Sequence, residues 1–145
     1  AETRRILTAS PDYIRTFGRP ATIDDLLQHK FLLYTGTAKP NELQLVREGE
    51  ARVVKVRGGL QANDGQLLRA AALDGLGILV QISSLIHDDI AQGRLVPLLE
   101  DWRLPTLTIN IAYRSRQHLP AKVRVFIDFM AEHFKHLNSL NEWAH

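Results

Sequence analysis

The sequence predicts an α/β domain built on a mostly parallel sheet with flanking helices. Helix-like and strand-like segments alternate along most of the chain, the order in which helices connect parallel strands. Its 145 residues are one ordinary domain's length. An apolar fraction of 45% is enough for a real core, and 23% charged residues is close to the globular average, so disorder is not expected.

Arg5 to Ala9 reads as a short strand. Ser10 follows as an N-cap with Pro11 at the first helical position, where a missing N–H removes no hydrogen bond. Tyr13, Ile14 and Phe17 give this helix an apolar face, and Gly18 stops it. Thr22 caps a second helical start, and Asp25, three residues on, returns the bond or complements the dipole. Leu26 and Leu27 are expected to face inward, with His29 near the helix end. Phe31 to Tyr34 reads as a buried strand and Thr35 to Pro40 as a loop. Residues 43–47 and 51–57, split by Glu48-Gly49-Glu50, read as a hairpin. Val54 and Val56 alternate with Lys55 and Arg57, which leaves one face wet. Gly58-Gly59 marks a bend or bulge.

The stretch LQANDGQLLRAAALDGLGILV, Leu60 to Val80, carries the most information. A strand-like entry reaches a polar corner, Asn63-Asp64-Gly65. Leu67, Leu68, Ala71 and Ala72 then form one apolar helical stripe. Ala70 and Leu73 fall on another side, which marks a candidate subunit contact. Gly75-Leu76-Gly77 stops the helix before the strand Ile78 to Val80. Ser83-Ser84 opens a helix towards Ala91, and Gly93 closes it. Leu95 to Leu98 is a short strand that Pro97 assigns to a sheet edge. Residues 107–113 read as a longer strand. Pro120 begins the last helix, with a stripe of Val123, Phe126, Ile127, Met130, Phe134 and Leu137 widened by Val125 and Phe129. So wide a face, and a chain that starts almost directly in a strand, point to a piece of the fold lying upstream.

Composition narrows the function classes. Eighteen basic and 16 acidic residues leave a surplus of two, a weak argument for nucleic acid. The absence of cysteine excludes disulfides, thiol catalysis and cysteine-ligated zinc. Apolar runs are too short to span a bilayer, so no membrane partner is expected. Of the six histidines, His133 and His136 follow Glu132 at a spacing of three, whereas a metalloprotease helix needs four with the glutamate between. They read as cations on the last turn, and no metal is assigned. No G-x-S-x-G elbow, phosphate loop or G-x-G-x-x-G is present. No catalytic residue and no cofactor are nominated.

The best functional signal is positional. Helix starts at Ser10-Pro11, Asn63-Asp64 and Ser83-Ser84 each follow a strand. In a parallel sheet such starts share an edge, where free N–H groups and helix dipoles receive ligands. Taken singly, each reads as an ordinary cap. Asp64 would compete with an anion there and suits a ligand amine or hydroxyl; Asn63 can both donate and accept.

Five pieces in order, RRILTASPDYI, GRPATIDDLLQHKFLLY, LQANDGQLLRAAALDGLGILV, GRLVPLLEDW and LPAKVRVFIDFMAEHF, resemble the effector-binding domain of LysR-type transcriptional regulators, from about Arg4 to Phe134. The resemblance implies a fold like type 2 periplasmic binding proteins, with two α/β lobes flanking a cleft. It assigns residues 1–10 to the first crossover strand and 11–102 to the second lobe. Residues 103–145 become the return crossover strand and the C-terminal helix of the first lobe, which is otherwise largely missing, as is the winged helix-turn-helix. Its ligand contacts map onto Ser10, Thr35, Gly36, Asn63, Asp64, Gln81 and Ile82. Its subunit contact maps onto the helix carrying Leu67, Ala70 and Leu73. The implied partners are a small-molecule effector, a carboxylate among the candidates, a second copy in the parent protein, and DNA through the missing domain only. The implied compartment is cytoplasmic. A solute-binding protein of transport is the alternative.

Overall fold

The structure is a computed structural model and describes residues 2–108, 110, 112 and 120–139. Glu2–Thr3 (β1) pairs antiparallel with Leu107–Thr108 (β9). Between them lies a five-stranded sheet of Arg5–Ala9 (β2), Lys30–Tyr34 (β3), Arg57–Ala62 (β6), Ile78–Ile82 (β7) and Val96–Pro97 (β8). Its order is β6-β3-β7-β2-β8. Pro97 does sit in an edge strand.

The α/β class holds, but the pairing is mixed rather than mostly parallel. β3 runs parallel to β6 and β7, while β2 runs antiparallel to both β7 and β8. Four strands therefore point one way and β2 points the other. The reason lies in the connections. A helix carries the chain back between β6 and β7 and between β7 and β8, which keeps those strands parallel. β2 enters before any such crossover and slots between β7 and β8 in reverse.

β3 is covered on both faces, which explains its unbroken Phe31-Leu32-Leu33 run. Phe31 and Leu33 join one core with Tyr13, Leu26, Ile78 and Trp102. Leu32 faces a second core of Leu68, Ala72, Leu79, Ile86 and Leu95. Each such side chain contributes about 1.5–3 kcal/mol on burial.

Ser10 caps Pro11–Phe17 (α1) by accepting the Tyr13 N–H at 3.2 Å, and Gly18 ends the helix at φ 86°. The Thr22 start is a 3-10 turn, Asp24–Gln28. Asp25 Oδ2 accepts the N–H groups of Ala21 and Thr22 at 2.9 and 2.8 Å, and these bonds hold its carboxyl below the usual range. Leu26 is buried, but Leu27 is 46% exposed. At three residues per turn, neighbours diverge by a third of a circle and cannot both face inward.

The hairpin forms from Glu42–Arg47 (β4) and Glu50–Lys55 (β5). Its turn residues Glu48 and Gly49 have φ of 47° and 83°, the doubly positive pattern that matches strand twist. The second strand ends at Lys55 rather than Arg57, which already belongs to β6. Phe31 pairs with Gly58 and Leu32 with Leu60, so Gly59 is the extra residue of a bulge, as expected.

Gly65–Leu73 (α2) buries Leu68, Ala71 and Ala72. Leu67 is 52% exposed, because one residue's rotation carries it off the stripe. Leu73 is half-buried against the second core rather than standing clear of it. Ser83–Ala91 (α3) ends at Gln92, with Gly93 at φ 70°. Ala121–Ser139 (α4) starts directly after Pro120. Val123, Ile127, Met130 and Phe134 are half-buried on it, while Phe126, Val125 and Phe129 are exposed. The Leu137 side chain, and Ile109, Ile111 and Tyr113 of the expected 107–113 strand, lie outside the described residues.

Candidate functional site

Parallel strands β3, β6 and β7 end at one edge of the sheet. There they present Thr35 and Gly36, Asn63 and Asp64, and Gln81 and Ile82. The Thr35 N–H donates to the Ala62 carbonyl at 2.9 Å, which joins the first two corners. Gly36 lies beneath Tyr34: a Cβ there would fall 2.4 Å from the ring. Only glycine fits under that ring in this arrangement.

Asp64 caps α2. Its Oδ1 accepts the N–H groups of Gln66 and Leu67 at 2.8 and 3.4 Å. This carboxylate already supplies the negative charge that the helix N-terminus favours. A free anion would meet Asp64 rather than bare N–H groups. Gln81 bridges β7 and α2: its Nε2 donates to the Gly65 carbonyl at 3.4 Å, and its Oε1 accepts the Ile82 N–H at 3.0 Å. Asn63 is exposed and makes no side-chain hydrogen bond to the described residues. Its amide remains available to donate and accept.

Ser10 does not belong to this group. β2 is reversed, so its end lies at the opposite edge of the sheet. The register pairs Arg5 with Ile82, Ile6 with Gln81 and Thr8 with Leu79. At about 3.3 Å per residue, Ser10 is roughly 16 Å further along. It is buried beside Gly75, and its hydroxyl is committed to capping α1.

The residues that reach the ligand-side edge in its place are Arg4 and Arg5. Sequence reasoning missed them because two arginines opening a strand carry no local mark of what they pair with. The Arg4 carbonyl accepts the Ser83 N–H at 2.9 Å, so backbone rather than a serine side chain satisfies this N–H at the start of α3. Arg5 Nη2 donates to the Pro105 carbonyl at 3.2 Å.

A buried ion cluster fixes α2 against α3. Asp89 is fully buried and receives both Nε and Nη2 of Arg69, the latter at 2.8 Å, and Nη2 of Arg94 at 2.7 Å. The fork geometry of the Arg69 contact sets the helix orientation as well as contributing energy. Leu67 and Ala70 stand exposed on the outer side of this fixed helix.

The family described as the LysR substrate binding domain matches residues 1–135. The HTH-type transcriptional regulator PtxR of Pseudomonas aeruginosa is 35% identical over 132 residues, 90% of this chain and 42% of that protein. The regulator CrgA of Neisseria meningitidis serogroup B is 31% identical over 132 residues, 90% of this chain and 44% of CrgA. Among solved structures, the CrgA regulatory domain superposes with a TM-score of 0.75 at 28% identity, covering 92% of this chain and 65% of that one. Full-length AphB, a Vibrio cholerae virulence activator, superposes with a TM-score of 0.73 at 32% identity, covering 89% and 44%. The chain spans less than half the length of the curated relatives it matches.

Proposed function

This chain belongs to the LysR substrate-binding domain family, and from that premise we propose that it contributes one jaw of a metabolite-sensing clamp in a cytoplasmic transcriptional regulator. The matched relatives are transcriptional regulators rather than transport solute-binding proteins, which favours regulation over transport. They also favour a binding role over an enzymatic one.

The observation that carries the reading is the strand-end edge, where three parallel strands stop together beside the α2 N-terminus and Asn63 keeps an uncommitted amide. Thr35, Gly36, Asn63, Gln81 and Ile82 form the ligand floor in this proposal, with Asp64 and Gln81 holding its shape. Because Asp64 covers the helix end, the group received at Asn63 is a hydroxyl, amide or amine rather than a bare carboxylate. The β1–β9 pair is the crossing between jaws, and the exposed face of α4 is the surface on which the other jaw rests. DNA is bound by a separate domain of the parent regulator. The effector shifts the jaws only by its difference in affinity for their two arrangements.

A melting-temperature screen of metabolites against the parent regulator tests this. An effector at a hundredfold its Kd adds about 2.7 kcal/mol, a rise of roughly 8 °C for a domain of this size. Asn63→Ala is expected to remove that rise while leaving the unliganded melting temperature unchanged. A rise that survives Asn63→Ala in full removes the strand-end edge as the site.

A further inference from the structure

A second feature stands apart from the strand-end floor. β8 pairs with β2 only at Thr8 and Ala9, so no strand covers the outer side of Arg5 among the described residues. The chain after β8 folds over this gap and encloses a cavity of about 430 Å³, lined by Arg4, Arg5, Leu98, Glu100, Trp102 and Arg103 among others. That volume is in the range of small-molecule pockets. Leu98 and Trp102 are buried core residues and give it an apolar wall.

Arg5 is the unusual member. One terminal nitrogen reaches the Pro105 carbonyl, but its Nε is buried without any hydrogen-bond partner. A buried, unmade donor on a charged group is costly and calls for an acceptor. Glu100 does not supply it: the described residues give Arg5 no ion pair, and Arg4 and Arg103 add two more cations against that one carboxylate. Burial also lowers the Arg5 pKa, as expected for a cation short of compensation.

We propose that this cavity is an anion site, which takes the carboxylate of a small organic acid on Arg5 and the acid's apolar body against Trp102 and Leu98. It lies on the opposite side of β2 from β7 and the strand-end floor, and it does not depend on the function assigned to that floor. A carboxylate completes the Arg5 fork by accepting from Nε, and the apolar wall selects acids with a hydrocarbon body over acetate.

The test uses the 145-residue chain with Trp143→Phe, so that Trp102 is the one remaining tryptophan. Phenylacetate is titrated and Trp102 emission followed, with phenylacetamide as the neutral isostere and acetate as the bare anion. The expected result is saturable binding of phenylacetate, about tenfold or more tighter than either control, and a loss of about tenfold or more in Arg5→Gln. Asn63→Ala is expected to leave the titration unchanged. Equal responses to acid and amide, an unaltered titration in Arg5→Gln, or no response to phenylacetate would each overturn the proposal. Loss in Asn63→Ala with Arg5→Gln unaffected would also overturn it and place the anion at the strand-end floor. Should Arg5→Gln fail to fold, the acid–amide comparison on the chain with native Arg5 decides.

Discussion

The Tyr13 hydroxyl stands 2.9 Å from Nδ1 of buried His29 and also accepts the Lys30 N–H at 3.2 Å. The phenol proton needs an acceptor, so it goes to Nδ1 and holds His29 neutral. Burial pushes the His29 pKa below its ordinary 6.5, and the nearby Asp25 opposes this only in part. The unfolded chain therefore takes up the His29 proton first as pH falls. The stability this histidine contributes is fully present above about pH 6.5 and is lost as pH drops through the lower folded value, at up to about 1.4 kcal/mol per pH unit. Urea midpoints measured from pH 7.5 downward should fall in the native protein. His29→Asn, which keeps an acceptor but cannot titrate, should give a flatter profile. Asp89 is the other residue whose loss is felt at a distance. Asp89→Ala strands two arginines, but both reach partly into solvent, so the cost should be about 2–3 kcal/mol rather than that of a sealed pair. Equilibrium unfolding reads this directly.

Among the elements, β7 tolerates least. A Cβ on Gly77 would lie 2.8 Å from the Lys30 carbonyl oxygen, a backbone atom that cannot turn aside. Gly77→Ala should destabilise by about 1–3 kcal/mol, lowering the urea midpoint without changing the slope. α2 separates stability from binding within two adjacent residues. Asp64→Ala removes a cap serving two N–H groups and should cost about 1 kcal/mol. Asn63→Ala removes no hydrogen bond to the described residues and should stay within about 0.5 kcal/mol. A unilateral loss of stability in Asn63→Ala would show that its amide is structural. The hairpin is held more loosely, by the two backbone bonds between Val46 and Arg103 and by Arg47 stacked 4.5 Å over Trp102.

Over the whole molecule, two kinds of surface face outward. One is the strand-end edge with the Arg5 cavity around the side of β2. The other is apolar: Leu67 on α2, and Val125, Phe126 and Phe129 on α4. The outer face of α2, with Leu67 and Ala70, is proposed as the subunit contact, whereas Leu73 already packs partly inward. Leu67→Glu should leave the unfolding midpoint within about 0.5 kcal/mol and shift the sedimentation coefficient of the parent regulator towards a smaller species. An unchanged coefficient would remove this face from the interface.

Local chemistry was legible from residue order alone. Ser10-Pro11 and Asp64-Gly65 announce helix starts because a cap acts on N–H groups two or three residues away. The Gly59 bulge, the Glu48-Gly49 turn and the Phe31-Leu32-Leu33 strand are likewise determined by neighbours in sequence. The ordered pieces of sequence were enough for the family. What only the tertiary structure decided is direction. Whether β2 runs with or against β7 depends on a pairing between residues more than 70 positions apart, which no local pattern encodes. That one reversal moved Ser10 off the candidate site and brought Arg5 beside Ile82. Long-range pairing sets which strand ends share an edge, and sharing an edge is what lets separate residues act on one ligand.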